Sequence, residues 1–281
     1  MSAPSGHPDG PTDRAAARLD GGCRAGGGDV RPWVARGVVA RLVGLPRFPG
    51  EVAAPDAPGA HVMGVTVHAW LGGEPLRRWG PGWLEGGSMA LRYRRPLRSG
   101  DPLQRRVDHA PHELRIELRD PAGELVADAA AWLNGPDLPA PASFVDAEPL
   151  ACRLAPEPEA LAGRGLGSLE FDFAAPRDLE VLDGLEPDDP YRLLGVAHPA
   201  WVATGVNALI AGAIDMTAGR WKHAGTAVRS LRPIPPGSRV RLVGRVERLF
   251  EAGRHRFADV AVLVAADGRP AAVFLTAIVY G

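Results

Sequence analysis

Residues Gly195–Ile214 read GVAHPAWVATGVNALIAGAI, and residues Ala218–Val240 continue with AGRWKHAGTAVRSLRPIPPGSRV. The first stretch predicts a helix that begins at His198-Pro199, because proline is favoured at the first helical position. From Pro199 onward this helix is apolar on nearly every side, which is typical of a buried helix. The second stretch alternates apolar and polar residues, as strands with one covered face do. A buried helix followed by long strands predicts a sheet curled around that helix.

The same landmarks occur in the same order earlier in the chain, within PGAHVMGVTVHAWLGG (58–73) and GPGWLEGGSMALRYRRPLRSGDPL (80–103). The histidine and the tryptophan are 22 residues apart in the first copy and 23 in the second. We therefore expect two tandem copies that pack as a pseudo-symmetric pair, with any pocket between them. The aligned pairs are His61 with His198, Trp83 with Trp221, Gly87 with Gly225, Arg95 with Arg232, and Gly100 with Gly237.

Changes in composition predict the organisation of the chain. Residues rich in glycine, proline and alanine predict disorder at the N-terminus, and repeated prolines predict an extended linker in the middle. The predicted parts are a disordered tail at 1–30, a first unit at 31–134, a linker at 135–167 and a second unit at 168–281. The predicted elements are strands at 33–45 and within 88–97 and 113–133, a helix at 61–71, a strand at 169–175, a loop at 177–195, a helix at 199–214, and strands from 225 to the end.

The bulk composition argues against several classes of function. A net charge of −1 offers no general attraction for nucleic acid. The longest apolar run, roughly 199–214, falls short of the ~18 to 20 residues that a bilayer-spanning helix needs, so we expect no membrane segment. The N-terminus lacks the apolar core of a signal peptide, which favours a cytoplasmic location. The two cysteines, Cys23 and Cys152, lie in segments without metal-binding spacing, so we expect neither a metal nor a cofactor.

The repeated unit resembles the hotdog fold, an α+β architecture in which an antiparallel sheet wraps a central helix. Two units in one chain are similar to the double hotdog of MaoC-like hydratases and dehydratases and of polyketide-synthase dehydratase domains. HPAWVATGVN (198–207) resembles the HPALLDxxxQ stretch that opens the second helix of polyketide dehydratases. The strand phrases ending in Gly-Asp at 100–101 and Gly-Ser at 237–238 resemble the R-P-x-x-x-G-D element of MaoC-like proteins. The resemblance covers roughly 34–133 and 169–280.

The chain departs from both families at the acid/base positions. The aspartate of polyketide dehydratases falls at Ala203, and their glutamine falls at Asn207. The MaoC-like D-x4-H spacing is matched only by Asp56 and His61, with Pro58 at the place of the usual asparagine. The resemblance therefore implies chemistry on acyl thioesters without carrying over a complete acid/base pair.

His198 and Asn207 are the leading candidates for catalysis. A histidine at a helix N-terminus faces the positive end of the helix dipole, which favours the neutral imidazole needed to abstract a proton next to a thioester carbonyl. The alternative is that His198 only caps the helix. Asn207 lies on an apolar helix, where its amide either ties down a loop carbonyl or holds a substrate carbonyl or a water. Nine residues turn a helix by about 180°, so the two side chains do not share a face.

Further candidates surround these two. His61, with Asp56 before it, is a second possible catalytic histidine, and His223 points in the same direction as Trp221, so that the pair could line an acyl tunnel or lie at a surface strand end. Arg95 and Arg232 either set the strand turns or contact the phosphates of a carrier.

Three functions follow as hypotheses. The first is a hydratase or dehydratase acting on an acyl thioester of coenzyme A or of a carrier protein, with His198 as the base. The second is a thioesterase of the same fold. The third is a non-catalytic acyl-binding or scaffold protein, favoured by Ala203 at the acid position. We expect either a monomeric double unit or a homodimer.

Overall fold

The computed structural model of the 281-residue chain describes residues 61–136, 158–174, 188–215 and 222–280, with residues 59, 138, 149–150 and 155 and the strand backbone of 29–34. The helices are α1 (Gly64–Trp79), α2 (Pro190–Leu194) and α3 (Pro199–Ala213), with short 3-10 helices at Gly80–Glu85 and Pro158–Leu161. The strands are β1 (Asp29–Val34), β2 (Ser88–Tyr93), β3 (Pro102–His109), β4 (Leu114–Arg119), β5 (Leu125–Trp132), β6 (Gly165–Asp172), β7 (Lys222–Ser230), β8 (Arg239–Ala252), β9 (His255–Ala266) and β10 (Arg269–Val279).

All ten strands form one antiparallel sheet whose order is symmetric about its centre. The order is β1-β3-β4-β5-β2-β7-β10-β9-β8-β6, so each strand of the first half has a counterpart at the same distance from the β2–β7 pair. In that central pair Ala90 lies opposite Ala227, and Met89 lies opposite Val228. A pseudo-twofold axis therefore passes between Ala90 and Ala227, and it relates the two halves of the sheet. The repeat in the sequence is a repeat in the structure.

The sheet must curl around α3, because this helix lies near strands that are far apart in the order of the sheet. The glycine at position 205 of α3 lies against Phe171 of β6 and Leu242 of β8; a Cβ at Gly205 would stand 2.7 Å and 2.9 Å from their side chains. Val202 lines a crevice together with Val228 of β7. β6 and β7 are four strand spacings apart, about 19 Å in a flat sheet, whereas a helix is only about 10 to 12 Å wide. Contact with both strands thus requires a curved sheet with the helix inside.

The main apolar core lies between the two long helices and the inner face of the sheet. Trp201 of α3 is completely buried between the rings of Phe171 and Phe173, with ring centroids 5.2 Å and 4.8 Å away. Helix α1 packs against α3, and Gly72 in its middle faces His198 at the start of α3. This contact places the beginning of one central helix against the other half of the molecule. None of the described helices has the length and apolar character that crossing a membrane would require.

Several predicted elements need correction. The first helix runs to Trp79 and not to Leu71, because the helix continues through Gly72-Gly73 and Pro75 with a buried side and ends at Gly80, whose φ is 62°. Strand β3 was not predicted, since Arg105 takes one of its three buried positions, between Leu103 and Val107. Helix α2 lies where a loop was expected. The predicted first strand overlaps β1 only at 33–34, and the rest of it lies outside the described residues. Strand β1 itself begins within the predicted tail.

Candidate active site

The imidazole of His198 caps the N-terminus of α3. Its Nδ1 accepts a hydrogen bond from the backbone N–H of Ala200, at 3.0 Å. Pro199, the first helical residue, has no N–H to satisfy. A ring nitrogen that accepts a hydrogen bond carries no proton, so the neutral ring carries its proton on Nε2. His198 therefore presents an N–H donor on the side away from the helix.

Helix α2 holds a carboxylate and a phenol against His198. Asp189 caps α2 by accepting the backbone N–H of Tyr191 at 3.0 Å, and its Oδ2 lies 3.9 Å from Nε2 of His198, which is beyond a direct hydrogen bond. The Tyr191 ring lies beside the imidazole, with centroids 4.5 Å apart. The Tyr191 hydroxyl accepts a hydrogen bond from Nε1 of Trp83 at 2.9 Å. An Asp-Pro pair at a helix start is a known N-cap signal, and 189–190 could have revealed α2 from the sequence.

A second buried imidazole, that of His68 on α1, lies close to His198. Gly72 follows His68 by one helical turn, and a Cβ on Gly72 would stand 3.1 Å from Cε1 of His198 and 3.7 Å from Cδ2 of His68. Only a glycine at this position lets the two rings approach each other without a shift. His68 was missed in the sequence because no family motif covers it. A histidine four residues before Gly72-Gly73 on an apolar helix is the signal that could have identified it.

Burial keeps both rings uncharged. It lowers the pKa of His198 to about 3, because a buried site offers the imidazolium no water to solvate its charge. Burial also lowers the pKa of His68 to about 3, and the neighbouring His198 and His223 act in the same direction. Both side chains are fully buried, so both are neutral near pH 7.

A third enclosed imidazole, that of His223, lies beneath the start of α1. It pairs through Nε2 with the hydroxyl of Thr226 at 2.6 Å, and its ring lies 4.9 Å from that of Tyr93. A Cβ on Gly64 would stand 3.2 Å from the Tyr93 ring and 3.3 Å from Nδ1 of His223. Burial lowers the pKa of His223 to about 4, against the opposing effect of a backbone hydrogen bond. This end of the central strand pair is thus filled by aromatic rings.

The opposite end of the same strand pair contains a crevice. Tyr93 lies three residues beyond Ala90, and its counterpart three residues beyond Ala227 is the much smaller Ser230. Ser230 lines a crevice of about 30 Å³, enough for one or two water molecules. The two units therefore leave a crevice of only this size at this place, where we expected a pocket between them. The apolar walls of the crevice include Leu84 from the first half and Val202, Val228, Ile234, Ala272 and Phe274 from the second.

The two predicted phosphate-binding arginines are in different situations. Arg95 forms an ion pair with Asp120 through Nη2 and Oδ2 at 2.7 Å, and this pairing lowers the pKa of the Asp120 carboxyl. Arg232 is exposed and lines the crevice. Within the part of the chain that the structure describes, the Arg232 side chain has no acidic partner. The Arg95 side chain is held at a strand turn by its ion pair with Asp120. The Arg232 side chain is exposed at the crevice, which makes it the better candidate for contact with a ligand.

Asn207 lies in the interior of α3, nine residues after the capping histidine. Its side-chain Oδ1 is buried and has no hydrogen-bond partner among the described residues. The position nine residues after Met63, which caps α1, is Gly72. Asn207 is thus the counterpart of the glycine that faces His198, on the other side of the pseudo-twofold axis.

The helix starts show that the pairing of His61 with His198 is displaced by two residues. The N-cap of α1 is Met63, so Met63 and not His61 is the counterpart of His198. The equivalent backbone hydrogen bonds agree: they run from Val62 to Leu97 and from Ala197 to Ile234. His61 is exposed in an isolated bridge before the helix, away from the buried imidazoles. The stretch from the helix start to the centre of the sheet is two residues longer in the second half, 29 residues from His198 to Ala227 against 27 from Met63 to Ala90, which explains why the alignment placed the histidines together.

Two predicted site residues, Asp56 and Trp221, lie outside the described residues. The described residues contain no group of three or more His, Cys, Asp or Glu side chains arranged to hold a metal ion. The described candidates for chemistry are therefore the buried His68 and His198, the partly buried His223, Asp189, and the crevice near His198.

No protein-family model and no curated protein sequence matches the chain. Solved structures do match it. A conserved hypothetical protein of Mycobacterium tuberculosis with a double hotdog fold, essential for bacterial survival during infection, matches with a TM-score of 0.53 and 14% identity over 91% of this chain and 96% of that one.

Two further structures belong to proteins that are named for an activity. A MaoC-domain dehydratase of Chloroflexus aurantiacus matches with a TM-score of 0.50 and 10% identity, over 80% of this chain and 83% of that one. A 12:0-ACP thioesterase from Umbellularia californica gives a TM-score of 0.47 and 11% identity, over 90% of this chain and 98% of that one. At such identities the likeness concerns the fold alone. Together with the symmetric ten-strand sheet and its enclosed helix, it shows that the chain has the α+β double hotdog fold and resembles MaoC-like proteins.

Proposed function

We propose that this protein binds acyl thioesters of coenzyme A or of a carrier protein in the crevice at the start of α3, and adds or removes water at the β carbon. The observation that carries this proposal is His198. Its neutral imidazole is held at a helix N-terminus at the junction of the two halves, and its neighbours Ala197, Pro199 and Tyr191 line the crevice. The dehydratase assignment of the Chloroflexus protein, which has the same fold, is consistent with the proposal.

The hydrogen bonding of His198 favours a different role from the base that the sequence suggested. Because Nδ1 is occupied by the helix cap, Nε2 offers a proton and not a lone pair. An N–H donor in a water-poor site stabilises the negative charge that develops on a thioester carbonyl oxygen when water adds or leaves. We therefore propose that the Nε2–H group of His198 donates a hydrogen bond to the carbonyl oxygen of the substrate.

The crevice supplies the rest of a thioester site. Its walls are mainly apolar, and the exposed Arg232 at its edge suits a phosphate of the carrier. At about 30 Å³ it must widen to admit an acyl chain. One wall is Tyr191 on the five-residue helix α2, which is the shortest element bordering the crevice. Movement of α2 is the simplest way to open it.

A thioesterase is the second candidate, and two buried oxygens favour it. The amide Oδ1 of Asn207 has no hydrogen-bond partner among the described residues, and Oδ2 of Asp189 lies 3.9 Å from His198. Oδ2 of Asp189 could hold a water near His198, whereas Asn207, on the opposite face of α3, could do so only for a thioester bound on that side. The non-catalytic alternative is favoured by the apolar Ala203 at the position of the dehydratase acid.

The experiment that separates these functions uses the purified chain with panels of enoyl-CoA and 3-hydroxyacyl-CoA thioesters. A hydratase or dehydratase changes the absorbance of the conjugated thioester, and a thioesterase releases free thiol. Binding without either signal would refute both enzyme assignments and leave the acyl-binding alternative.

The decisive variant is His198→Asn, because asparagine preserves the N-cap while removing the imidazole. We expect kcat to fall by roughly 10²- to 10³-fold, as when a donor to a developing oxyanion is lost. His112→Asn, which removes an exposed histidine in a turn, is the matched control and should keep its rate. Full activity of His198→Asn would exclude His198 from the reaction.

A further inference from the structure

The His68 side chain is an unexplained polar group in the core. It is fully buried, and neither Nδ1 nor Nε2 has a hydrogen-bond partner among the described residues. A neutral imidazole always has one N–H donor and one lone pair, so two hydrogen-bonding groups are left unmet. Each such group costs about 1 to 3 kcal/mol when it is buried without a partner. An apolar side chain at this position would avoid the cost, which points to a use for the ring.

The surroundings of His68 define what such a partner could be. The ring faces His198 across Gly72, and the other ionisable group that acts on it is His223. The third neighbour is the apolar ring of Phe274, with centroids 6.4 Å apart. A partner that satisfies both a donor and an acceptor in this uncharged setting is a water molecule or a hydroxyl group.

The crevice lies one aromatic ring away from both imidazoles. Phe274 lines the crevice and borders His68, whereas Tyr191 lines it and borders His198. A shift of these two rings would join the crevice to the imidazole pair. The His198 donor and the free lone pair of His68 would then face the same space, one group from each half of the protein.

We propose that His68 is the catalytic residue that transfers the proton, whereas His198 holds the thioester carbonyl; this inference rests on the proposed function. In hydration, the ring nitrogen of His68 that carries no proton takes a proton from water while the water oxygen bonds to the β carbon. The electron pair of the C=C bond forms a new double bond between the α carbon and the carbonyl carbon, and the C=O pair moves to the carbonyl oxygen, which accepts the hydrogen bond from Nε2 of His198. The His68 imidazolium then returns its proton to the α carbon as the C=O bond re-forms. Dehydration is the reverse, and no other reactant is needed.

The test compares His68→Gln with Val67→Ala. Glutamine keeps a polar side chain of similar reach but cannot transfer the proton. Val67 is the buried neighbour of His68 on α1, and its truncation weakens the core while leaving all three imidazoles in place. Each variant is measured for kcat, for melting temperature and for binding of a thioether analogue of the acyl-CoA, which cannot be cleaved.

We expect His68→Gln to lower kcat by roughly 10²- to 10⁴-fold, the range for general acid–base catalysis, while the Kd of the thioether changes by less than about threefold. Val67→Ala should lower the melting temperature and keep most of kcat. If the wild-type chain turns over no thioester, the proposed function fails and this inference falls with it. If the wild type is active and His68→Gln keeps its rate within about fivefold, or loses binding together with rate, only the role of His68 is refuted.

Discussion

Arg232 and Arg95 show how one residue position has diverged between the two halves. Both follow a central strand of the sheet and precede a proline, at matching distances from the pseudo-twofold axis. Arg95 is neutralised by Asp120, whereas Arg232 is exposed at the crevice. The described residues include no acidic partner for Arg232, and a cation in this position beside an apolar crevice is suited to an anionic group on a ligand.

Replacing Arg232 by glutamine tests this assignment. We expect Arg232→Gln to raise the KM for CoA thioesters by roughly tenfold with little change in kcat, because the lost contact lies far from the reacting carbon. Arg254→Gln, in the turn between β8 and β9, removes an equally exposed charge and should leave KM unchanged. Steady-state kinetics at low ionic strength give both constants, and equal KM values for the two variants would contradict the role of Arg232.

At the scale of elements, the side chains at the ends of β2 and β7 decide which end of the strand pair is filled and which contains the crevice. The ring of Tyr93 fills the end near α1, packed against Gly64 and His223. The counterpart of Tyr93 is Ser230, and the crevice opens beside it. The backbone is nearly symmetric, so the difference between an open and a closed end comes from side-chain volume.

Replacing Ser230 by tyrosine, the residue type of its counterpart Tyr93, should close the crevice. We expect Ser230→Tyr to raise the Kd for an acyl-CoA thioether at least tenfold, because the phenol would occupy the space that the ligand needs. The cost to stability should be modest, about 1 to 3 kcal/mol, as for other enlarged side chains. Ser230→Ala is the volume-matched control. Calorimetric titration measures Kd, and circular dichroism checks folding; unchanged binding in a folded Ser230→Tyr would place the ligand elsewhere.

At the scale of the whole molecule, three neutral histidines, of which His68 and His198 are fully buried and His223 is partly buried, make the stability depend on pH. Burial lowers the pKa of His68 and His198 to about 3 and that of His223 to about 4, whereas the unfolded chain titrates near 6.5. Between these values the unfolded state binds more protons than the folded one. The neutral histidines therefore make their full contribution to the free energy of unfolding above pH 6.5. This contribution is lost as the pH falls from there towards their folded-state pKa values.

We expect the free energy of unfolding to drop by up to about 1.4 kcal/mol per pH unit for each histidine between pH 6.5 and 4.5. Urea denaturation at several pH values measures the slope. His198→Asn should have a shallower slope than the wild type, since one of the three groups is gone. A flat profile over this range would show that the imidazoles reach water in the folded protein.

The elements that the sequence predicted well are those with strong local signals. The start of α3 at His198-Pro199 agrees with the structure, because a proline at the first helical position is a local preference. The hairpin at Asp267-Gly268 and the strands on either side of Asp120 also agree. The unpredicted strand β3 is the counterpart of β8, so a stricter use of the repeat would have found it. Helix α1 was ended too early because Gly72 lies against His198 and Gly73 against Asp189, neighbours that only the fold supplies.

The sequence alone determined that the chain repeats a helix-and-sheet unit and has the double hotdog fold, because helix starts, turns and alternation are encoded in neighbouring residues. Tertiary structure alone decided which side chains meet. His68 lies 130 residues before His198 in the chain, and the two rings approach only because Gly72 brings the helices together. It also decided that His198 uses one nitrogen to cap α3 and that Tyr93 closes one end of the central strand pair. Contacts between distant segments depend on packing, which no local pattern specifies.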